Sequence, residues 1–232
     1  MRLFVKTLLK KEEKVILNES QSHYLAHVMR VRIKDKVLLF NGVDGEWDSE
    51  VFNISKKQVI LKVCSQIRKQ DKNADVWLCF APVKKDNTDL IIQKATELGV
   101  ACLCPVITQR TVTRNINTDR MRLLATEAAE QSERLSVPEI SEPQKLDDLL
   151  KNWDNARLLY YLSERQDAEP VCDFCEKSAF LVGPEGGFDT KEIEKLHAFS
   201  KAIPIHLGRR ILRAETACIA SLVIWNQYNG WF

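Results

Sequence analysis

Two segments near the C-terminal end combine residue types that do chemistry: Gly183-Pro184-Glu185-Gly186-Gly187 and Leu207-Gly208-Arg209-Arg210-Ile211-Leu212-Arg213-Ala214-Glu215-Thr216. Adjacent glycines permit positive φ and let a ligand approach the backbone with no side chain in the way. Pro184 fixes the direction of that approach. Neither G-x-x-x-x-G-K-[ST] nor G-x-G-x-x-G is present, so the first segment suits an adenine or a ribose against backbone groups better than a triphosphate. A plain strand-to-helix turn would use the same residues. The second segment sets three arginines at a helix start, where the helix dipole is already positive. An anion is therefore expected nearby: Glu215 and Thr216 could supply part of it by capping, and an RNA phosphate the rest. For Arg209 and Arg210 a solvated surface explains the pattern as well. Arg213, between Leu212 and Ala214 where the chain enters the helix, is harder to leave to solvent.

Other reactive residues point elsewhere. The seven cysteines are odd in number and scattered, which is not a disulfide framework. Cys172-Asp-Phe-Cys175 has the spacing of half a zinc site, but Cys102 and Cys104 alternate within the apolar run 101–107 and read as small core residues, so no metal is expected. His23 and His27 fall in the N-terminal region, and His206 alternates with Ile205 and Leu207, as a structural residue would.

Both chemical segments need elements to hold them. From residue 73 onward, apolar runs alternate with helical periodicity, predicting a mainly parallel α/β sheet. Strands are expected over 74–81, 100–107, 158–162, 179–182 and 202–207. Helices are expected over 87–98 with Gly99 as C-cap, 119–132 capped by Thr118 or Asp119, 189–199 capped by Asp189, and 215–228 with Ala217, Ile219, Ala220 and Val223 inward. In such a sheet ligands bind at the carboxyl ends of strands, which is where both segments fall. Before the polar link Arg68-Lys69-Gln70-Asp71-Lys72-Asn73, short strands dominate, with Asn41-Gly42 and Asp44-Gly45 marking a hairpin. A small barrel fits this rhythm, interrupted by one helix over 20–30 that Ser20 or Ser22 would cap and that would turn Leu25, Val28 and Met29 inward. The expected domains are 1–70 and 73–232.

Composition agrees with a folded chain: 232 residues, 45% hydrophobic and 28% charged. Net charge is only +2, but residues 1–72 hold 15 Lys and Arg against 9 Asp and Glu, while the remainder holds 19 against 23. A basic N-terminal third is what an appended polyanion-binding module produces, and a lysine-rich solvated surface gives the same count. The first nine residues are too short and charged for a signal peptide, and no apolar run reaches the roughly 18 residues of a membrane span, so a cytoplasmic protein with no membrane partner is expected.

The two segments together resemble motifs of the SPOUT class of S-adenosylmethionine-dependent RNA methyltransferases, and more narrowly the ribosomal RNA small-subunit methyltransferase E family. The likeness extends to Met1-Arg2-Leu3-Phe4, His23-Tyr24-Leu25 with Val28-Met29-Arg30-Val31-Arg32, Ile92 to Val100, and Glu127 to Ser132 leading to Val137-Pro138-Glu139-Ile140. It spans nearly the whole chain in the family's order. One departure is Lys34, where the family often has glycine before Asp35, which puts the local turn in doubt.

This resemblance implies an N-terminal PUA-like β-barrel that binds RNA, a C-terminal α/β domain tied in a trefoil knot, and a homodimer. It implies methyl transfer from S-adenosylmethionine to N3 of one uridine in 16S ribosomal RNA. The cofactor pocket would take Leu162, Gly183, Glu185, Gly186, Leu207, Gly208, Ile211, Leu212 and Arg213. Arg2, Arg30, Arg32, Arg209 and Arg210 would contact RNA. A uridine N3 reacts as its anion, so a guanidinium that stabilises the charge lowers the barrier, and Arg213 is the residue expected to do so. An anchoring role for Arg213 toward Glu215 or a phosphate is the alternative, and Glu215 is a second candidate base. Two other functions fit the same residues: a SPOUT-class enzyme acting on transfer RNA or a ribose 2′-hydroxyl, and a non-catalytic RNA-binding assembly protein.

Overall fold

Backbone pairing divides the chain into two units, seen in a computed structural model that describes residues 1–55, 58–163, 169–170 and 174–231. The first unit comprises residues 1–72 with 129–137, and the second 73–128 with 138–232.

The first unit holds β1 (Arg2–Phe4), β2 (Lys14–Ile16), α1 (Glu19–His23), β3 (Lys36–Phe40), β4 (Glu46–Ile54) and β5 (Val59–Arg68). Its sheet runs β1-β3-β4-β5-β2, with β1 parallel to β3 and the other pairs antiparallel. Register shifts along β4 and β5 mark bulges, which coil a sheet. Among the described residues no ladder joins β1 to β2, so the expected barrel is an open half-barrel whose inner face carries Leu3, Val15, Val37, Leu39, Leu61 and Val63. The β3–β4 hairpin is held by Asn41, whose Oδ1 accepts from the backbone N–H of Val43 (3.0 Å) and Asp44 (2.8 Å). Gly45 is required there: at φ +77° a Cβ would lie 2.2 Å from the Arg68 carbonyl oxygen.

The helix over 20–30 differs from expectation in two ways. Its cap is Asn18, which accepts from Gln21 N–H, while the Ser22 hydroxyl turns inward to the Leu17 carbonyl. After His23 the chain widens into a π turn over Tyr24–Val28, closed by Met29 N–H donating to the Tyr24 carbonyl. The extra residue of that turn shifts the helical phase, so Leu25 is buried but Val28 and Met29 are 59% and 45% exposed rather than turned into the core. Lys34 adopts φ +75°, the conformation a glycine would take, and its N–H still donates to the Val51 carbonyl at 2.8 Å.

Two further corrections concern residues 129–137 and Arg2. The segment 129–137 belongs to the first unit although it falls within the expected second domain: Ala129 and Leu135 pack on Phe40, and Glu130 accepts from Phe4 N–H at 2.9 Å. Arg2, expected on RNA, is an internal residue. Its guanidinium pairs with Glu46, donates to the carbonyls of Ala129 (2.7 Å) and Arg134 (2.6 Å), and stacks on Phe40 with 3.7 Å to the ring centroid. With side-chain exposures of 8% and 5%, neither charge is available to a polyanion.

The second unit is a parallel sheet formed by β6 (Val76–Phe80), β7 (Cys102–Ile107), β8 (Glu139–Ile140), β9 (Gln144–Lys145), β10 (Leu158–Leu162), β11 (Glu169–Pro170), β12 (Ser178–Val182) and β13 (Ala202–His206). Its order is β11-β13-β10-β12-β6-β7-β8, with β9 pairing in parallel with the end of β7. Helices α2 (Lys85–Glu97), α3 (Thr118–Gln131), α4 (Leu146–Lys151), α5 (Thr190–Ala198) and α6 (Ala214–Tyr228) complete it. Leu146, Leu149 and Leu196 from α4 and α5 pack against Cys104, Leu159, Tyr161, Ala179 and Leu181 of the strands. The helix α6 lies along α2, β6 and β12. Fully burying Ile91 and Ile92 of α2 contributes about 1.5–3 kcal/mol each.

Gly99 ends α2 at φ +84° as predicted, whereas α3 is capped by Asn117, which accepts from Arg120 N–H at 2.9 Å, and not by Thr118 or Asp119. On α6 the buried face is Ala217, Cys218, Ser221, Leu222, Trp225 and Asn226. Ile219 and Ala220 are only partly covered and Val223 is exposed. Asn226 explains part of this rotation, since its amide donates to the carbonyls of Leu98 (2.8 Å) and Leu222 (3.0 Å), tying α6 to the end of α2.

Replacing Arg2 by Ala leaves the buried Glu46 carboxylate with only the more exposed Arg68 guanidinium 3.7 Å away and takes the donor from the Ala129 and Arg134 carbonyls, and urea unfolding is expected to show a loss of about 3 kcal/mol; a loss below about 1 kcal/mol would contradict the internal ion pair. Lys34→Gly is expected to gain about 1 kcal/mol in the same measurement by relieving the left-handed backbone; a net loss would show that the lysine stem contributes packing instead.

Candidate active site

The site follows from strand order. Because β10 lies between β12 and β13, with Tyr161 in register with both Leu181 and Pro204, the three carboxyl ends emerge side by side. The residues that follow them border one cavity of about 1010 Å³. At the opposite ends of the strands, buried Arg157 donates to the carbonyls of Asp75 (2.7 Å) and Ser178 (3.1 Å), pairs with the Asp75 carboxylate (2.6 Å) and lies over the Trp77 ring. That clamp fixes the strand starts, and so where their ends deliver the loops.

The first loop leaves β12 at Gly183. A Cβ on Gly183 would meet the Phe188 ring at 3.2 Å, and Phe188 is itself a core residue, so glycine is what allows the loop to close on it. Gly187 N–H donates to the Pro184 carbonyl at 2.8 Å and Gly187 takes φ +67°, turning the chain into α5. Asp189 then caps the helix as predicted, in a capping box with Glu192.

The second loop leaves β13 at His206. The His206 ring is partly exposed on the cavity wall, and its Nδ1 accepts from Gly208 N–H at 3.1 Å. Gly208 sits at φ +106° with open space where a Cβ would be, so it is the backbone conformation that selects glycine here. Arg213 occupies the N-cap position of α6 with no side-chain capping bond, its carbonyl accepting from Ala217 N–H at 2.8 Å. Neither Glu215 nor Thr216 makes a capping bond, although the Glu215 carboxylate stands in the first turn of the helix. Among the described residues no hydrogen bond or ion pair engages the guanidinium groups of Arg209, Arg210 or Arg213, and all three are exposed. Three unneutralised cations at a helix N-terminus make this rim an anion-attracting surface.

Leu162, Gly183, Glu185, Gly186, Leu207, Gly208, Ile211, Leu212 and Arg213 all border the cavity, together with Arg209 and Arg210. Ile211 is 79% exposed on its lip. Arg30 and Arg32, in the first unit, are exposed, and no ion pair engages them among the described residues. Sequence reasoning missed Tyr161, Ser163 and Arg110 on the cavity wall. Burial raises the Tyr161 phenol above its ordinary range. Arg110 follows β7, so the rule that placed the other two loops at strand ends could also have found it.

The described cysteines of the parallel sheet are core residues. Hydrogen bonding to Cys104 and burial push the Cys79 and Cys102 thiols well up, as expected of core cysteines on β6 and β7. Cys172 lies outside the described residues, and Cys175 Sγ is exposed, donating to the Lys177 carbonyl at 3.0 Å. Among the described residues no group of three His, Cys, Asp or Glu could hold a metal ion.

With this geometry established, the chain was compared with known proteins. A sequence model of the RNA methyltransferase domain matches residues 70–226, and one of the RNA methyltransferase PUA domain matches residues 17–64. A protein of Rickettsia conorii named ribosomal RNA small subunit methyltransferase E is 33% identical over 95% of this chain and 93% of its own length. A Bacillus subtilis protein of the same name is 30% identical over 86% and 84%. Among solved structures, a Legionella pneumophila protein in complex with SAM is 25% identical, with a TM-score of 0.85 over 97% of this chain and 96% of its own. The Neisseria gonorrhoeae ribosomal RNA small subunit methyltransferase E, at 24% identity and a TM-score of 0.88 over the same shares, has the same fold. The likeness thus runs along nearly the full length, and the chain belongs to the ribosomal RNA small subunit methyltransferase E family of RNA methyltransferases.

Proposed function

We propose that the protein uses S-adenosylmethionine to methylate N3 of one uridine in the 16S RNA of the small ribosomal subunit. The observation that carries this reading is the convergence of two glycine loops and the unneutralised Arg213 on one cavity. The names of the relatives support the substrate, and the Legionella protein's bound SAM supports the cofactor. The cavity fits that cofactor in size and in kind: it offers glycine backbone for an adenine and a ribose, apolar Leu162, Leu207, Ile211 and Leu212, and the Glu185 carboxylate for an ammonium group. Gly183, Gly186 and Gly208 would provide the close backbone approach.

When bound, the cofactor supplies a methyl carbon already activated by its sulfonium sulfur. The protein's task is then alignment and charge stabilisation. Arg213 would face the uridine ring and hold the negative charge that spreads to O2 and O4 as N3 loses its proton, an effect of about 3 kcal/mol for a well-placed donor. Arg209 and Arg210 on the same rim, and Arg30 and Arg32 on the half-barrel, would take phosphates and fix the RNA in register. The reading extends to a homodimer, as the resemblance to the family implies. It extends also to a trefoil knot, supported by β13 taking a slot between the earlier β10 and β11. A cytoplasmic location follows from a ribosomal substrate; no described helix is long and apolar enough to cross a membrane.

Mass mapping of 16S RNA from cells lacking the protein should show one unmethylated uridine, restored on complementation; a change confined to transfer RNA or to a ribose hydroxyl, or none, would overturn the assignment. In the purified enzyme, Arg213→Lys is expected to lower kcat by roughly 100-fold with cofactor affinity unchanged, and full turnover in this variant would remove Arg213 from the chemistry. Neutralising Arg30 and Arg32 together should weaken RNA binding and reduce the salt slope by about 2 without altering cofactor affinity; unchanged RNA binding would remove the half-barrel from recognition.

A further inference from the structure

The first glycine loop holds only one side of its central peptide, through the Gly187 N–H that donates to the Pro184 carbonyl at 2.8 Å. Its central peptide joins Gly186 to Gly187, the pair with the least steric restriction to rotation of the peptide plane. What holds the carbonyl side of that plane comes from the turn after β7. Thr108 N–H donates to Thr111 Oγ1 at 2.9 Å, and the two hydroxyls lie 2.8 Å apart, both buried. Gln109 N–H donates to Glu192 Oε1 at 2.8 Å, while the other oxygen of that carboxylate accepts from Asp189 N–H at 3.0 Å. One buried carboxylate therefore locks the 108–111 turn to the start of α5. From this anchored turn Arg110 reaches the loop: its Nη1 donates to the Gly186 carbonyl at 2.6 Å. Its Cδ lies 3.5 Å from where a Gly186 Cβ would stand, so the side chain covers the glycine as well as holding its carbonyl.

We infer that Arg110 is a positioning residue for the methyl-donor site: with Glu192 fixing its backbone, it holds the Gly186–Gly187 peptide in one orientation and so pre-forms the loop before ligand enters. This rests on the reading of the cavity as the S-adenosylmethionine site. The competing role for an exposed arginine on this rim is a phosphate contact to RNA, and the two roles have different signatures. A clamp acts on the loop in the absence of RNA and on cofactor affinity. A phosphate contact acts on the salt dependence of RNA binding and leaves the loop alone.

The test compares the full-length wild type with Arg110→Ala and Arg110→Lys, using hydrogen exchange of the 183–188 amides without ligand, S-adenosylmethionine titration, and steady-state kinetics. Loss of the charge-assisted bond is expected to speed loop exchange and raise KM for the cofactor about tenfold each, with kcat within about twofold. Arg110→Lys, which can still donate to the Gly186 carbonyl, should recover most of both effects, and the RNA salt slope should not change. Unchanged exchange and KM with a salt slope reduced by about 1 would assign Arg110 to RNA and overturn the clamp. A loss of kcat and stability that lysine does not rescue would overturn it too. If wild type itself binds no S-adenosylmethionine, the reading of the cavity fails, while the exchange comparison still decides whether Arg110 holds the loop.

Discussion

The hydrogen-bonded order β13-β10-β12 is the constraint on which the site depends. In a parallel sheet every strand delivers its carboxyl end to the same edge, and only neighbours deliver loops close enough to share a ligand. Residues 183–188 and 207–213 are separated in sequence by a helix and a strand, and β10 brings them to either side of Leu162. The order is held from both faces. Leu159, Tyr161, Ala179 and Leu181 pack with Leu196 of α5 and with α4, and α6 lies along β6 and β12. At the amino ends Arg157 cross-links β6 to β12 through the Asp75 and Ser178 carbonyls. Cofactor-loop geometry is thus set by packing and pairing at a distance from any reacting atom.

Arginine chemistry separates structure from function within the same chain. Arg2 and Arg157 are each nearly buried, paired with a carboxylate, bonded to backbone carbonyls and laid over an aromatic ring. Such groups are costly to strand and serve the fold. Among the described residues Arg209, Arg210 and Arg213 have none of these partners, and they stand at the positive end of α6. An arrangement that is unfavourable in the isolated chain becomes favourable once an anion arrives, which is the behaviour expected of a surface for RNA and for a developing uridine anion.

Much of this was legible in the sequence, for definite reasons. The periodicities placed the strands and helices of the parallel sheet, Asp189 and Gly99 marked helix ends by local chemistry, and the glycine and arginine segments fell at strand ends by a rule of the fold class. The failures also share a cause. Asn18 and Asn117 outcompeted nearby Ser and Thr as caps because cap choice depends on where the helix starts to within one residue. The π turn at Tyr24–Val28 shifted the phase that placed Val28 and Met29 inward. Arg2 appeared free because Glu46 and the carbonyls of Ala129 and Arg134 are distant in sequence. For the same reason residues 129–137 could not be assigned to the first unit, and Arg110 could not be connected to Gly186, 76 positions away. Lys34 shows the reverse: the turn in doubt is kept, with lysine held in a glycine conformation.

The central claim is that the two glycine loops form one methyl-donor site. Calorimetric titration of S-adenosylmethionine into the wild type and into variants carrying valine at Gly186 or at Gly208 tests it most directly. One site per chain, with affinity lost on substitution in either loop while the unfolding of the first unit stays unchanged, is the predicted result. Binding of undiminished affinity in both variants, or no binding to the wild type, would contradict it.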